Sequence, residues 1–410
     1  MPTAPRAVCV LVLRLATSAL VLLVLLFSPV VLRAQPTEKV LYAFTGGADG
    51  SQPYAGVVFD KAGNLYGTAQ FGGAFGGGTV FQLSLSLSGR WTFHLIYTFT
   101  GGADGYIPIG GVVLDDAGNL YGTASSGGDP VCQCGTVFEL SPSQNGWTFN
   151  VLHSFTGADS DGAYPGASLV FDGSLTGTTV HGGKGNHGSV FWLTNSGNGW
   201  TKSLQWNFTG NNGSQPWAAM SASTAIYGTT YAGGGDGDGN VFELRGGGLI
   251  HVIHVFGAAS KTGKHPIADL TMNAGNLYGT TYDGSLYGRG AVFALVPSCC
   301  KYDVWIAKVL HSFAGPDGED PSAGVVFDKV GNMYGTTSFG GADPSLDGTV
   351  FKLTPAPKNK WIHTLLHSFA GGDDGNYPAS DLVMDDAGNL YGTTIFGGAF
   401  HSGVVYEVTP

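Results

Sequence analysis

The sequence predicts an all-β protein, a seven-bladed β-propeller built from four-stranded antiparallel blades. One motif, Leu-Tyr-Gly-Thr or a close variant, recurs seven times at spacings of 51 to 57 residues. Each repeat contains four short segments with strand alternation, and no segment keeps a helical period. The seventh repeat stops after its third strand, and a matching fourth strand lies at residues 40–44, before the first repeat. A closed ring explains this offset, because the first strand can then complete the last sheet.

The first repeat shows the predicted blade most clearly. Its four candidate strands are Tyr54–Asp60, Leu65–Ala69, Thr79–Ser84 and Trp91–Phe99. Asp60 opens the turn between the first two strands, and Gly63 can take the positive φ that a short hairpin requires. The same Asp-x-x-Gly-Asn turn returns in repeats two, six and seven.

Several motifs occur together throughout residues 40–410: Gly-Asn-Leu-Tyr-Gly-Thr-Thr, a following Gly-Gly, Gly-Thr-Val-Phe-x-Leu and Leu-His-Ser-Phe. This combination resembles the GloVer-type (choice-of-anchor) repeat family of exported bacterial proteins, and a weaker similarity is to kelch-type blades. Repeats three and four depart most from the pattern, with Thr176 and Ala225 at motif positions. The resemblance implies a tandem-repeat architecture and export, and it implies no defined activity.

Residues 1–34 are predicted to be a signal peptide. Arg6 and Arg14 supply positive charge, an apolar run follows up to Leu32, and Ala34 suits the residue before cleavage. Because the apolar run is long, an uncleaved membrane anchor is the alternative. We therefore expect residues 35–410 to form a single propeller domain that is secreted, periplasmic or on the cell surface, with no further membrane span.

The net charge restricts the class of partner. It is −11 for the whole chain and becomes −14 without residues 1–34, which contain three arginines and no acids. An acidic surface repels phosphate backbones, so we expect no nucleic-acid partner. We expect a monomer.

Four cysteines remain after the predicted cleavage, as the closely spaced pairs Cys132/Cys134 and Cys299/Cys300. A local disulfide in each loop, free thiols and a zinc site are the three alternatives. The zinc site is the weakest of these, because neither pair has the usual ligand spacing.

Repetition separates structural residues from candidate functional ones. A residue present in every blade serves the blade, whereas a function performed once needs residues that break the pattern. His153, His254, His311 and His367 occupy a position that holds tyrosine or tryptophan in other repeats, so we interpret it as an aromatic packing position.

The predicted binding face is the end of the ring that carries the long loops, which follow the second and fourth strands. By analogy with other propellers, the residues after a proline present in every repeat would surround the channel mouth. Most of them are small. Four break the pattern: Tyr54 and Trp217, one residue after the proline, and Asp269 and Asp381, three residues after it. They are the candidate ligand-binding residues.

Two functions are open on these residues, and a purely structural envelope protein is the third alternative. Aromatic and carboxylate groups around one opening favour a non-catalytic propeller that binds an extracellular polysaccharide or a surface protein. The alternative is a polysaccharide lyase or hydrolase that uses Asp269 and Asp381 as an acid/base pair. Such pairs stand roughly 5–10 Å apart, which the non-adjacent blades five and seven allow only across a narrow channel.

No cofactor is expected, and calcium is the one candidate ion. Asp236, Asp238 and Asn240 alternate along a Gly-rich loop like part of a calcium loop, as do Asp159 and Asp161. Neither segment has the full twelve-residue pattern with its terminal glutamate, and Asp and Gly are also common in plain turns.

Overall fold

The computed structural model describes residues 35–410 except 198, 223–224, 246–248, 258–260, 299–303 and 344. The predicted signal peptide and the Cys299/Cys300 pair therefore lie outside the described residues. Among those described, no helix has the length and apolar character needed to cross a membrane.

Seven four-stranded antiparallel sheets, counted over the described residues, form the blades of the predicted propeller. The strands of blade 1 are Val58–Phe59, Leu65–Ala69, Thr79–Leu85 and Trp91–Thr98. Those of blade 2 are Val113–Leu114, Leu120–Ala124, Thr136–Ser143 and Gly146–Ser154. Those of blade 3 are Val170–Phe171, Ser174–Thr179, Ser189–Asn195 and Trp200–Asn207. Those of blade 4 are Ser221–Ala222, Ile226–Thr230, Asn240–Arg245 and Leu249–Val255. Those of blade 5 are Thr271–Asn273, Asn276–Thr281, Ala291–Pro297 and Trp305–Ser312. Those of blade 6 are Val326–Phe327, Met333–Thr337, Thr349–Ala356 and Lys360–Ser368. Blade 7 consists of Thr37–Ala43, Val383–Met384, Leu390–Thr394 and Val404–Thr409. The remaining elements are the short pair Gly162–Ala163 and His181–Gly182 and the 3-10 turn Pro357–Asn359.

The recurrent glycine is needed because an aromatic ring lies on it. Gly67 pairs with Phe81 across the second and third strands, and a Cβ at Gly67 would stand 2.7 Å from Phe81 Cζ. The same pairing returns in every blade, with Tyr406 in place of phenylalanine in blade 7. Phe81 is fully buried, so this ring fills the centre of its blade.

The Asp turn forms as predicted. The Asp60 carboxylate accepts hydrogen bonds from the backbone N–H groups of Ala62 and Asn64, the Asn64 side chain and the Tyr66 hydroxyl, at 2.7–3.1 Å. Gly63 has a φ of 84°. One carboxylate thus fixes the hairpin and anchors the motif tyrosine that packs against the next blade.

The first strand of each blade is shorter than predicted. The sequence predicts Tyr54–Asp60 in blade 1, but only Val58–Phe59 pairs within the sheet. The residues before it bond to the neighbouring blade instead, because the motif threonine of one blade reaches the inner segment of the next. Thr68 Oγ1 donates to the Gly110 carbonyl at 3.1 Å, and the equivalent bond occurs at each of the seven described junctions.

The N-terminal strand closes the ring, as predicted. Thr37–Ala43 pairs antiparallel with Val404–Thr409 and completes blade 7. Phe44, which directly follows, is fully buried against Phe81 of blade 1, with ring centroids 5.1 Å apart. Closure is therefore held by strand pairing and by apolar packing across the seam.

The long loops are tied to one another. In blade 1 the loop before the proline pairs with the loop after the second strand through a bridge between Ser51 and Phe71. Equivalent bridges, or the short pair in blade 3, occur in the other blades. In blade 2, Cys132 and Cys134 form a disulfide in the long loop, which is one of the predicted alternatives. The described residues of the long-loop face are consequently joined by backbone pairing.

The recurrent histidines occupy a packing position, as predicted. His153 packs edge-to-face on Phe155 at 4.7 Å and lies 3.2 Å from an oxygen of Asp161. Tyr97 takes the same position in blade 1 and donates its hydroxyl to Asp104 at 3.0 Å. The aspartates of these loops therefore serve the blade by binding a ring from the fourth strand.

Candidate functional site

The channel mouth is built by the residues that directly follow the recurrent prolines. Six of them line one cavity of about 350 Å³, within the usual range for ligand pockets. They are Tyr54, Ile109, Gly166, Trp217, Ile267 and Ser322. The structure thus brings the predicted Tyr54 and Trp217 together at the long-loop end of the axis.

Three further aromatic residues line this cavity and escaped the sequence prediction: Tyr231, Tyr282 and Tyr377. Tyr231 and Tyr282 stand directly after the second strands of blades 4 and 5, where other blades have Gln70, Ser125 or Val180. Both residues depart from the repeat pattern, as Trp217 does. A search for such departures at the end of the second strand, as well as after the proline, would therefore have identified them.

The aromatic wall is held by its own contacts. Tyr282 has Tyr377 and Asp320 as neighbours, and burial together with these neighbours raises the pKa of Tyr282. Tyr231 stacks on the imidazole of His265 with ring centroids 4.6 Å apart. These partners fix the rings before any ligand arrives, which lowers the entropy cost of binding.

Trp217 is more accessible to solvent than Tyr54, the other predicted aromatic residue. Its six-membered ring lies over Gly166, where an added Cβ would stand 3.2 Å from Trp217 Cε3, and 38% of the residue is exposed. Tyr54 is more enclosed, and burial, with Tyr377 nearby, raises its pKa to about 12. Its hydroxyl is therefore a neutral hydrogen-bonding group throughout the physiological pH range.

The two predicted aspartates meet at the floor of the mouth. Asp269 and Asp381 line a narrower chamber of about 70 Å³ that shares Tyr54 and Trp217 with the cavity above. Their carboxyl groups hydrogen-bond each other, although they belong to blades 5 and 7. All four predicted ligand-binding residues thus border one continuous pocket.

Each aspartate is also held by the preceding blade. Asp269 Oδ1 accepts a hydrogen bond from the Ala219 N–H at 2.6 Å, and Asp381 Oδ1 accepts one from the Gly324 N–H at 2.5 Å. Gly324 is the residue of blade 6 between them, and a Cβ there would stand 3.0 Å from Asp381 Oδ1. The glycine leaves the space in which the two carboxyl groups come into contact.

The surroundings of the pair favour its protonated form. Burial and the negative charge of Asp381 raise the pKa of Asp269 well above its usual range, and burial raises the pKa of Asp381. Both side chains touch the chamber and are otherwise surrounded by protein, so two adjacent negative charges would be poorly solvated. These shifts favour the form in which one carboxyl and one carboxylate share a hydrogen bond.

This geometry differs from that of a glycosidase. The carboxyl groups of such an enzyme flank the scissile bond roughly 5–10 Å apart. Here they contact each other directly, which leaves no space for a glycosidic oxygen between them. The pair can accept hydrogen bonds from ligand hydroxyl groups and can donate through its shared proton.

The predicted calcium residues are distributed over a loop with other contacts. Asp238 forms an ion pair with Lys264 at 2.8 Å and lies 3.7 Å from His265. Asp236 is exposed, whereas Asn240 is fully buried and its side-chain amide has no hydrogen-bond partner. Calcium at this loop stays a prediction, and the ion would have to displace the Lys264 ammonium.

The repeated blades match a known family model. The model of the Gloeobacter/Verrucomicrobia repeat matches residues 30–171, 133–307 and 303–410, which together cover the whole propeller. The chain belongs to this family. The predicted resemblance to the GloVer-type repeat is therefore confirmed. No protein with a curated function matches the chain.

Two solved structures show what this Gloeobacter/Verrucomicrobia repeat protein is similar to in fold. A luciferin-regenerating enzyme has 13% identity and a TM-score of 0.45, over 74% of this chain and 91% of its own. A protein from Thermus thermophilus, provisionally assigned as an oxidoreductase (glucose dehydrogenase), has 12% identity and a TM-score of 0.45, over 91% and 100%. At these values neither likeness bears on the activity of this chain.

Proposed function

We propose that this protein is an exported, non-catalytic propeller that binds a sugar unit of an extracellular polysaccharide at the channel mouth. The observation that carries the proposal is the pocket itself. Tyr54, Trp217, Tyr231, Tyr282 and Tyr377 surround a cavity of about 350 Å³ whose floor is a carboxyl pair. Aromatic rings pack on the apolar faces of sugars, and carboxyl groups bind their hydroxyls.

The charge and shape of the pocket support a neutral saccharide. A negatively charged polysaccharide would meet both the acidic protein and the carboxylate of the floor. The chamber beneath the mouth has a volume of only about 70 Å³. The site therefore suits the end of a sugar chain better than a chain that passes along the axis.

Binding to a glycan array, followed by calorimetry on the best ligand, tests the proposal. We expect Trp217→Ala to weaken binding at least about tenfold, since stacked aromatic residues commonly contribute more than 1 kcal/mol. Tyr287→Ala is the matched control, because Tyr287 is an exposed aromatic residue that does not line the pocket. Equal affinity of the Trp217 variant and wild type would overturn the site.

Two other results would replace the proposed function. Absence of glycan binding together with capture of a defined surface protein would assign the mouth to protein recognition. Turnover of a polysaccharide by wild type, lost in Asp269→Asn, would make the protein a polysaccharide-active enzyme despite the direct contact of the two carboxyl groups.

A further inference from the structure

A second group of polar residues lies between the fourth strands of blades 5 and 6. His311 is on the fourth strand of blade 5, Asp317 in the loop that follows it, and His363 on the fourth strand of blade 6. One ligand atom from each lies within 4.8 Å of the other two. All three residues are partly buried, so the group borders solvent without being spread over it.

The group contains an unused donor atom. His311 Nε2 lies 2.8 Å from Asp317 Oδ2, and the His363 imidazole stacks on that of His311 with ring centroids 4.5 Å apart. His363 Nε2 is nevertheless buried and has no hydrogen-bond partner among the described residues. A buried imidazole nitrogen without a partner is unfavourable, and a metal ion, like a hydrogen-bond donor, can satisfy its lone pair.

Comparison with the other blade junctions shows what is particular about this one. At two junctions a phenylalanine stacks on the tyrosine of the preceding blade, as Phe149 does on Tyr97 at 4.1 Å. At the junction of blades 2 and 3, His153 and Asp161 face the ammonium of Lys202, which forms an ion pair with Asp161. The same His-Asp arrangement thus accommodates a cation at one junction, while the blade 5–6 junction offers an imidazole instead.

We propose that His311, Asp317 and His363 bind a divalent transition-metal ion such as Zn²⁺ between blades 5 and 6. Two imidazoles and one carboxylate suit such ions, whereas calcium and magnesium prefer oxygen ligands alone. A tetrahedral zinc ion with bonds of about 2.0–2.1 Å keeps its ligand atoms about 3.4 Å apart. The two imidazole rings, now stacked at 4.5 Å and 16°, must rotate apart to direct both nitrogens at the ion.

The repeats themselves supply variants that should fold without the site. His363→Phe places the residue found at the equivalent position of blades 1 and 2, where Phe93 and Phe149 stack on tyrosines. Asp317→Asn is a second variant, because an amide oxygen can still accept the hydrogen bond from the Ala314 N–H. His153→Tyr is the matched control, since it changes the equivalent histidine next to Lys202.

The test is calorimetric titration of the metal-stripped full chain with Zn²⁺, with the melting temperature measured alongside. We expect one Zn²⁺ per chain and a higher melting temperature for wild type and His153→Tyr. Affinity should fall by at least about 100-fold in His363→Phe, because even outer-shell changes cost about 10–100-fold. Unchanged binding in both His363→Phe and Asp317→Asn, equal loss in His153→Tyr, or no saturable binding to wild type would overturn the proposal.

Discussion

Thr393 Oγ1 donates a hydrogen bond to the carbonyl oxygen of Ala55 at 3.0 Å, across 338 residues of sequence. It is the last of the seven threonine bonds that join each blade to the next, and it joins blade 7 to blade 1. The bond lies on the inner side of the ring, while the pairing of Thr37–Ala43 with Val404–Thr409 closes the outer side. The junction between blades 7 and 1 is therefore held both on the inner side and on the outer side of the ring.

Removal of the closing strand should prevent stable folding. Deleting Val40–Phe44 takes most of the fourth strand from blade 7 and leaves the edge of Val404–Thr409 unpaired. The milder change Phe44→Ala should cost about 3–5 kcal/mol, because Phe44 is fully buried at the seam. Urea unfolding followed by tryptophan fluorescence measures both changes, and a deletion variant with wild-type stability would refute ring closure.

The Asp60 turn should contribute measurably to stability. Asp60→Ala leaves two backbone N–H groups and the Asn64 amide without their acceptor, which should cost about 1–2 kcal/mol. Burial by itself raises the pKa of Asp60, but hydrogen bonds from Asn64, Ala62 and Tyr66 outweigh it and lower the pKa. Because the folded pKa is lowered, this contribution is present at neutral pH and is lost in acid.

The control for that experiment is Asp116→Ala. Asp116 pairs only with Lys61, and its side chain is 97% exposed, so denaturant midpoints should differ little from wild type. A loss as large as that of Asp60→Ala would mean that charge rather than the turn hydrogen bonds accounts for the effect.

The ring and its blades could be predicted because each rests on local patterns that repeat. The Asp turn depends on five consecutive residues, and the motif glycine depends on one cross-strand aromatic residue. The bounds of the first strand could not be predicted, since the Ala55 carbonyl in the segment before it accepts a hydrogen bond from Thr393 of the neighbouring blade. The sequence of one blade contains no sign of that exchange.

The candidate site was predicted in part. Tyr54 and Trp217 were found because they break the repeat at a position defined by a proline. The contact between Asp269 and Asp381 depends on the width of the ring at that depth and on the space left by Gly324. Those are properties of the assembled ring, so the sequence indicated two carboxylates near one opening but not their shared proton.

Glu38 should make closure of the ring sensitive to pH. It lies on the N-terminal strand opposite Val408, and its Oε1 is buried with no hydrogen-bond partner in the described part of the chain. Burial raises the pKa of Glu38 to about 7. His367 opposes this shift and Asp374 adds to it. A raised folded pKa means that the stability contributed is complete below the unfolded pKa of about 4.5 and is lost as pH rises through about 7.

Glu38→Gln should remove this dependence. Between pH 5 and pH 8 the melting temperature of the variant should fall less than that of wild type, with the largest gain at pH 8. Asp386→Asn is the control, because Asp386 is fully exposed and pairs only with Lys329. An equal fall in melting temperature for Glu38→Gln and wild type between pH 5 and pH 8 would contradict the role assigned to Glu38.

The carboxyl pair of the mouth should have the same sign of pH dependence. The raised pKa values of Asp269 and Asp381 mean that the folded state holds a proton that the unfolded state releases above about pH 4. The stability of wild type should therefore decrease as the pH rises through the folded pKa.

In Asp381→Asn the amide can donate to the Asp269 carboxylate and its oxygen can still accept from the Gly324 N–H, so no shared proton is required. The melting temperature of Asp381→Asn relative to wild type should increase as the pH rises from about 4 through the folded pKa, as differential scanning calorimetry would measure. A constant difference would show that Asp381 adds no proton uptake on folding, and then the pair could not present the proton donor that we propose for the floor of the pocket.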